Sequence, residues 1–331
     1  VGSEMCIRGR YYSALFFTAF LPITVMLYGM APRRFRWAVL LLASYGFFFA
    51  LSGALIAFVA LSTAVVYACA RMMGANLAEK NRQLATASSG KREIREACKR
   101  KNRRIVFAAV VANIGILAVL KYSGFFGLSL ASALAAFGIS IDLSIPSFAL
   151  PIGISFYTLM AVSYVVDVYR ERTKADKNLG HVALFLAFFP GIMEGPLSRY
   201  NDVAPSLIAG EPLNRKNLYA GTLRIMWGMA KKIIVADRLN AFVKPVFDNY
   251  GSYDGGVIAL AAILYTIQLY CDFSGTMDVA LGMGRVFNVT LPENFRQPFF
   301  SRTASEFWQR WHITLGLWFK DYVYYHISLS K

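Results

Sequence analysis

The sequence contains a run of 34 residues, from Trp37 to Ala70, without one charged side chain. As a single α-helix this run would be about 50 Å long, whereas the hydrocarbon core of a bilayer is roughly 30 Å thick. We therefore expect two helices joined by a turn at Leu51-Ser52-Gly53. The whole chain is 56% hydrophobic with a mean hydropathy of +0.45, which indicates an all-α polytopic membrane protein.

Charges and turn residues bound five apolar segments in the first half of the chain. They predict spans at about 11–30, 36–51, 54–71, 105–123 and 148–168. After residue 178 the apolar segments are shorter and contain proline, glycine and ionisable residues. The segment 181–196 includes Pro190-Gly191 and Glu194-Gly195-Pro196, which predicts a re-entrant or broken helix. Such backbone needs a polar cavity at membrane depth, so we expect a helical bundle around a central funnel or tunnel.

The chain carries 35 Lys and Arg against 19 Asp and Glu. Basic residues accumulate in cytoplasmic loops, so this excess indicates topology rather than nucleic-acid binding. Segments 32–36, 71–104 and 170–174 lie on one cytoplasmic face only if the N-terminus is outside. We predict one membrane-embedded domain over residues 1–331 with a basic cytoplasmic loop at 72–104. That loop is a topology anchor, a surface for anionic lipid or a site for an acidic protein.

His312 is the strongest candidate for chemistry, because a titratable imidazole in aromatic, membrane-type surroundings costs free energy to bury. If Ser305 begins one continuous helix, Trp308, His312 and Gly316 share a face, with Gly316 leaving space beside the ring. This arrangement suits an acyl-chain or thioester tunnel. A hydrogen-bonded packing histidine is the alternative. The four cysteines are scattered, so they predict neither a disulfide framework nor a metal site.

Several carboxylates are also candidates. Asp272 and Asp278 follow an apolar segment and are expected near a helix end, where they relay protons or cations, or else cap the helix or pair with Arg285 or Arg296. Glu194 and Arg199 are expected to form an internal ion pair that holds the broken helix.

Six motifs, in order between residues 151 and 324, resemble the bacterial membrane-bound O-acyltransferases. They are Pro151-Ile152-Gly153-Ile154-Ser155-Phe156-Tyr157-Thr158 with Tyr164 to Arg170, Gly195-Pro196-Leu197-Ser198-Arg199-Tyr200, Tyr270-Cys271-Asp272-Phe273-Ser274-Gly275, Pro292-Glu293-Asn294-Phe295-Arg296-Gln297-Pro298-Phe299, and the segment from Ser305 to Tyr324. Within that family the sequence looks closest to the branch of alginate O-acetylation and teichoic-acid D-alanylation. The segment Tyr325-His326-Ile327-Ser328-Leu329 departs from the pattern of the alginate type and leaves the D-alanyl type open.

The resemblance implies an enzyme of the bacterial cytoplasmic membrane that moves an acetyl or D-alanyl group from a cytoplasmic thioester to a hydroxyl of an extracellular polysaccharide or envelope polymer. The donor would be a carrier-protein phosphopantetheine or acyl-coenzyme A, with no bound cofactor or metal, and an extracellular partner acyltransferase could pass the group on. The family has two histidines: His312 matches one, and the second, the general base, is expected some tens of residues after Lys331. His312 would then be catalytic, positioning the acceptor or stabilising the oxyanion. The predicted substrate-binding residues are Trp308, Trp311, Asn294, Arg296, Asp272, Glu194 and Arg199.

Two other classes stay open on the sequence. A proton-coupled transporter would use Glu194, Asp272 and Asp278 at membrane depth. A noncatalytic membrane scaffold would account for a chain that carries only one of the two family histidines.

Overall fold

The computed structural model of the protein describes residues 14–136, 153–192 and 194–328. These residues are predominantly helical, and the only β-type pairing among them is an isolated antiparallel bridge between Phe295 and Trp311. The helices are α1 Phe16–Met30, α2 Arg36–Ser52, α3 Ile56–Thr86, α4 Lys91–Ala136, α5 Ile154–Tyr169, α6 Leu179–Ala187, α7 Tyr200–Ala209, α8 Arg215–Met229, α9 Asp237–Asp248, α10 Gly255–Val286, α11 Ala304–Arg310, α12 Ile313–Phe319 and α13 Tyr325–Ser328. The starts of the predicted spans at 11 and 148, most of the predicted outer stretch 124–147, and Pro151-Ile152 lie outside the described residues.

Three helical stretches among the described residues are long and apolar enough to cross a membrane: Arg33–Thr86, Lys91–Gly127 and Gly255–Val286. The first is divided where the sequence predicts a turn, because Gly53 has a φ of 54° and a short 3-10 turn separates α2 from α3. A left-handed residue of this kind favours glycine, which has no Cβ to clash with the backbone. The prediction of an all-α membrane protein is confirmed.

The predicted broken helix is also present. Helix α6 ends at Ala187, three residues before Pro190, and residues 188–192 and 194–199 form turns and irregular backbone. The backbone N–H of Phe189 no longer has a helical acceptor and donates to Ser44 Oγ at 3.1 Å. A buried N–H must find a partner, so this side chain stabilises the end of the helix.

Residues 72–104, expected to be a loop, are almost entirely helical. They form the end of α3 and the beginning of α4, with only Ala87–Gly90 between them. Asn76 Nδ2 donates to Asn102 Oδ1 at 2.7 Å, and Asn102 is 2% exposed. The two helices therefore form a packed hairpin, which we call the basic hairpin; its cytoplasmic location stays a prediction.

The chain divides into two compact units. The first comprises Val1–Leu21, Ala38–Ile192 and Arg199–Asn201. Its core includes a cluster of phenylalanine rings with centroids 5.3 Å apart for Phe16–Phe20, Phe16–Phe47 and Phe20–Phe189. Rings at this separation contribute beyond the apolar area that they bury, so the cluster holds the start of α1 against α2 and the end of α6.

The second unit comprises Pro22–Trp37, Met193–Ser198 and Asp202–Lys331. Its central feature is the antiparallel crossing of α8 and α10, in which glycines of one helix lie against glycines of the other. A Cβ added to Gly228 would lie 2.5 Å from the carbonyl oxygen of Gly275, and a Cβ added to Gly221 would lie 2.7 Å from that of Gly282. The two backbones can approach this closely because neither helix has a side chain at these points.

Candidate functional site

His312 lies at a break between two helices in the second unit. Helix α11 ends at Arg310, α12 begins at Ile313, and His312 has φ 46° and ψ 52°. The break is set by backbone pairing with the segment after α10: Arg296 N donates to Arg310 O, and Ile313 N donates to Asn294 O, both at 3.0 Å. The prediction of a continuous helix from Ser305 is therefore wrong, because Arg310 O and Ile313 N bond to residues 296 and 294 instead of to helix backbone.

Because of the break between α11 and α12, His312 has different neighbours from those that a continuous helix predicts. Trp308 is 64% exposed and does not share a helix face with His312. The nearest heavy atom to a Cβ at Gly316 would be the Trp308 carbonyl oxygen at 3.9 Å, so the space at Gly316 is open. The His312 ring instead makes an edge contact with Phe273, with centroids 4.9 Å apart. Phe273 was predicted only as part of a motif, without a role.

The imidazole is oriented by a buried amide. His312 Nδ1 lies 3.2 Å from Asn294 Oδ1, and the same oxygen accepts hydrogen bonds from Thr314 N and Thr314 Oγ1, both at 3.0 Å. Thr314 Oγ1 in turn accepts a hydrogen bond from Leu197 N at 3.0 Å. Asn294 is 1% exposed and Thr314 is 5% exposed. This is a closed network in which each side chain is fixed by another.

The network determines which nitrogen of the ring carries the hydrogen. A backbone N–H can only donate, so the bond from Thr314 N places the amide oxygen of Asn294, not its nitrogen, toward His312. An oxygen acceptor requires the hydrogen on Nδ1, which leaves the lone pair on Nε2. Nε2 has no hydrogen-bond partner among the described residues. Burial lowers the pKa of His312, which lies outside the candidate spans, to about 4, so the ring is neutral at pH 7.

Trp311 lies in a separate aromatic cluster next to this network. Its ring is 5.1 Å from Phe295 and stacks on Phe307 at 5.6 Å, and Tyr270 lies 6.1 Å away. Trp311 also forms the isolated bridge with Phe295. The structure thus gives Trp311 a packing role at the helix break, and its contact with substrate stays a prediction.

A charged cavity of about 210 Å³ has Asn294 in its lining. Its lining includes three basic side chains, Arg224, Lys231 and Arg296, and two acidic ones, Asp278 and Glu293. Arg224 binds Asp278 through Nε at 3.0 Å and Nη2 at 2.9 Å, and it also binds both carboxylate oxygens of Glu293. Lys231 forms a further ion pair with Asp278. Arg296 is exposed and forms no ion pair with a described carboxylate, so its guanidinium is available to an anion.

The two aspartates of α10 are not where the sequence suggested. Helix α10 continues to Val286, so Asp272 and Asp278 lie in its interior and not at an end. Asp278 pairs with Arg224 and Lys231, and Asp272 pairs with Lys232, rather than with Arg285 or Arg296. Among these basic partners, Arg224 lies on α8, and Lys231 and Lys232 lie in the π-helical turn Ala230–Ala236 that follows it. Charged residues within otherwise apolar helices are the signal that could have found Arg224 and Lys231.

Glu194 and Arg199 are both half-buried, and their predicted ion pair stays a prediction.

His181 belongs to a different cluster, in the first unit. Asp176 Oδ2 accepts hydrogen bonds from Tyr200 OH at 2.5 Å and from His181 Nδ1 at 3.2 Å, and Oδ1 accepts from Asn178 N at 2.7 Å. Burial raises the pKa of Asp176, but these hydrogen bonds outweigh it and leave the pKa below its usual value. The cluster ties the start of α6 to Tyr200.

The apolar spans and the half-buried histidine at a helix break define a helical membrane protein with a neutral, oriented imidazole. Residues 158–331 match the model of the membrane-bound O-acyltransferase (MBOAT) family. The chain belongs to the membrane-bound O-acyltransferase family.

The chain is similar to proteins that are named for acyl transfer to alginate, peptidoglycan or teichoic acid. It is 34% identical over 321 residues to the protein named "Probable alginate O-acetylase AlgI" of Pseudomonas aeruginosa, covering 97% of this chain and 57% of the relative. It is 31% identical to the peptidoglycan O-acetyltransferase of Helicobacter pylori, covering 65% of this chain and 45% of the relative. It is 29% identical to the teichoic acid D-alanyltransferase of Bacillus subtilis, covering 52% and 44%. The chain thus spans less than two thirds of the length of these relatives.

Proposed function

We propose that the complete protein transfers an acyl group, acetyl or D-alanyl, from a cytoplasmic thioester to a hydroxyl of an extracellular polysaccharide or envelope polymer. The observation that carries the proposal is the orientation of His312: a neutral ring whose Nδ1–H is held by Asn294 and whose Nε2 has no hydrogen-bond partner within residues 14–136, 153–192 and 194–328. Membership of the family and the named activities of the relatives support the reaction class.

The tautomer distinguishes between the two roles expected for His312. An oxyanion needs a hydrogen-bond donor, whereas Nε2 of this neutral ring is an acceptor. His312 therefore accepts a hydrogen bond from a hydroxyl of the acceptor next to the one that attacks, and this holds the attacking oxygen toward the thioester carbonyl. In the reaction the hydroxyl oxygen bonds to the carbonyl carbon, the C–S bond breaks, and the thiolate leaves. The hydroxyl proton passes to a general base, the second histidine that the family resemblance implies, and then to the thiolate sulfur.

In this proposal the charged cavity binds the thioester donor. Arg296 lines the cavity together with the buried Asn294, and its guanidinium has no ion-pair partner among the described residues, so it suits a phosphate of the phosphopantetheine or coenzyme A donor. Asp278 is held in ion pairs by Arg224 and Lys231, and Asp272 by Lys232. Both carboxylates are thus already engaged by basic side chains of the protein, and this geometry favours the enzyme over the proton-coupled transporter.

The test is acyl transfer by the full-length protein in lipid nanodiscs, with a labelled thioester donor and a purified polymer acceptor. Release of free thiol and labelling of the polymer are both measured. Substitution of His312→Ala is expected to lower the turnover rate by roughly 100-fold or more, because the acceptor loses its positioned partner. Asn294→Ala is expected to lower kcat by about 10- to 100-fold with little change in donor KM, because it releases the ring without removing it.

Trp227→Ala is the matched control, because this tryptophan is 64% exposed and belongs neither to the His312 network nor to the cavity lining. It is expected to keep turnover within about two-fold. Normal transfer by a folded His312→Ala protein would remove the proposed role. Solute uptake into vesicles without release of thiol would instead support a transporter, and absence of both activities in the wild-type protein would support a scaffold.

A further inference from the structure

The basic hairpin carries a concentration of positive charge that the proposed reaction does not use. Between Lys91 and Arg104, the first 14 residues of α4 include eight Lys or Arg and two Glu. Arg95, Lys99 and Arg103 are four residues apart, so they form a row along one side of the helix. All three side chains are exposed, and no carboxylate of the described residues lies within ion-pair distance of them.

The helices are continuous through this region, and their continuity determines how far the basic side chains lie from the bilayer. Helix α4 runs without a break from Lys91 into the apolar part that is long enough to cross the membrane. A continuous helix cannot cross the bilayer and also lie flat on its surface. The 14 residues before Ile105 therefore extend about 21 Å from the membrane boundary, and the 16 residues from Arg71 to Thr86 extend about 24 Å beside them.

Most of this surface is too far from the bilayer to be neutralised by lipid headgroups. Electrostatic attraction is screened over about 8 Å at physiological ionic strength, so only the base of the hairpin, at Arg71, Arg103 and Arg104, is within range, whereas Lys99 and Arg95 lie about 9 and 15 Å from the boundary. The hairpin is also rigid. Cys98 Sγ donates to the carbonyl of Asn76 at 3.6 Å beside the Asn76–Asn102 bond, and Lys80 Nζ pairs with Glu171 at 2.6 Å.

We infer that the basic hairpin is a docking surface for a soluble protein with an acidic surface, the acyl carrier that brings the thioester donor. A rigid, projecting row of cations that have no ion-pair partner in the described part of the chain matches a row of carboxylates on a folded partner and raises the rate of encounter. Coenzyme A alone would not need a surface of this length. The identification of the partner as an acyl carrier rests on the proposed function, whereas the docking of an acidic protein on the hairpin does not.

The experiment measures binding of an acidic acyl carrier protein from the same bacterium to the full chain in neutral phosphatidylcholine nanodiscs. The carrier is used in its apo form, without phosphopantetheine, so binding is read independently of acyl transfer. We expect the Kd to rise at least about ten-fold in the triple variant Arg95→Glu, Lys99→Glu and Arg103→Glu, and the salt dependence to weaken. No binding by the wild-type chain, or an unchanged Kd in this variant, would overturn the inference.

The control triple, Arg215→Glu, Lys216→Glu and Arg238→Glu, makes the same change in net charge at exposed residues outside the hairpin. It is expected to change the Kd by less than about two-fold; an equal loss in both triples would mean that total charge, not the hairpin, attracts the carrier. A nitroxide at Ser88→Cys in the hairpin turn tests the geometry. It should be relaxed by a water-soluble nickel complex, whereas preferential relaxation by membrane-dissolved oxygen would place the hairpin on lipid and overturn the proposal.

Discussion

At the scale of single residues, the strained backbone of His312 and the orientation of its ring have one cause. A non-glycine residue in the left-handed region costs about 1–2 kcal/mol. The backbone bonds from Arg296 to Arg310 and from Ile313 to Asn294 hold His312 in this conformation. Because the same pairing brings Thr314 and His312 to the amide oxygen of Asn294, the conformation that costs free energy is also the one that fixes the tautomer.

This fixed tautomer gives a prediction for the pH dependence of the ring. Histidine in an unfolded chain has a pKa of about 6.5, and burial lowers that of His312 to about 4. The folded state therefore favours the neutral ring, and this residue's contribution to stability is complete above pH 6.5 and decreases as the pH falls toward 4. In ¹⁵N-histidine NMR spectra, the His312 signals should show the Nδ1–H tautomer and should not move between pH 8 and about 5.5.

The His312→Gln spectrum assigns these signals, and it also provides the control for stability. The variant should lose less stability than the wild type when the pH is lowered from 6.5 to about 4. A ring that becomes protonated near pH 6.5, or that carries its hydrogen on Nε2, would contradict the arrangement with Asn294.

At the scale of helices, the glycine positions determine which charged side chains can form ion pairs across a helix crossing. Gly221 and Gly228 are seven residues apart on α8, and Gly275 and Gly282 are seven apart on α10, so the two pairs meet in antiparallel register. Arg224 and Lys231 lie between or beside these contacts and reach Asp278 across the crossing. Close approach of the two backbones is therefore the condition for the ion pairs that line the charged cavity.

Substitution of Gly228→Ala should destabilise the protein by about 1–3 kcal/mol, because its Cβ would lie 2.5 Å from the Gly275 carbonyl oxygen and neither backbone can move easily. Thermal unfolding in detergent, followed by size-exclusion chromatography, measures the change. Gly46→Ala is the matched control: a Cβ there has no neighbour within 4 Å, and alanine favours the helix by up to about 1 kcal/mol. Equal stability of the two variants would show that the crossing tolerates a wider separation.

The same elements show what can be predicted from sequence. The break at Gly53 and the end of α6 before Pro190 were predictable, because length, turn residues and proline act locally. The break at His312 was not, since it depends on pairing with residues 294–296, which are distant in sequence. The partners of Asp272 and Asp278 were missed for the same reason: they come from another helix, and the assumed end of α10 does not exist. His312 itself was identified from its residue type and surroundings, whereas the roles of Thr314 and Phe273 required the fold.

At the scale of the whole molecule, the distribution of charge gives a prediction of orientation. The basic hairpin, the segment after α1 and the segment after α5 should all lie in the cytoplasm, with the turn at Gly53 outside. The proposed reaction needs this orientation, because a cytoplasmic thioester must reach the protein from the side opposite to an extracellular polymer.

Cysteine labelling tests the orientation after the native cysteines are replaced. Ala54→Cys lies in the turn between α2 and α3, and Ser89→Cys lies in the turn of the basic hairpin; both positions are exposed. In intact cells, a membrane-impermeant maleimide should label Ala54→Cys and leave Ser89→Cys unlabelled, and inverted membrane vesicles should give the opposite result. Labelling of both on the same side would mean that α3 does not cross the membrane. The reverse pattern would place the hairpin outside, where a cytoplasmic acyl carrier could not reach it.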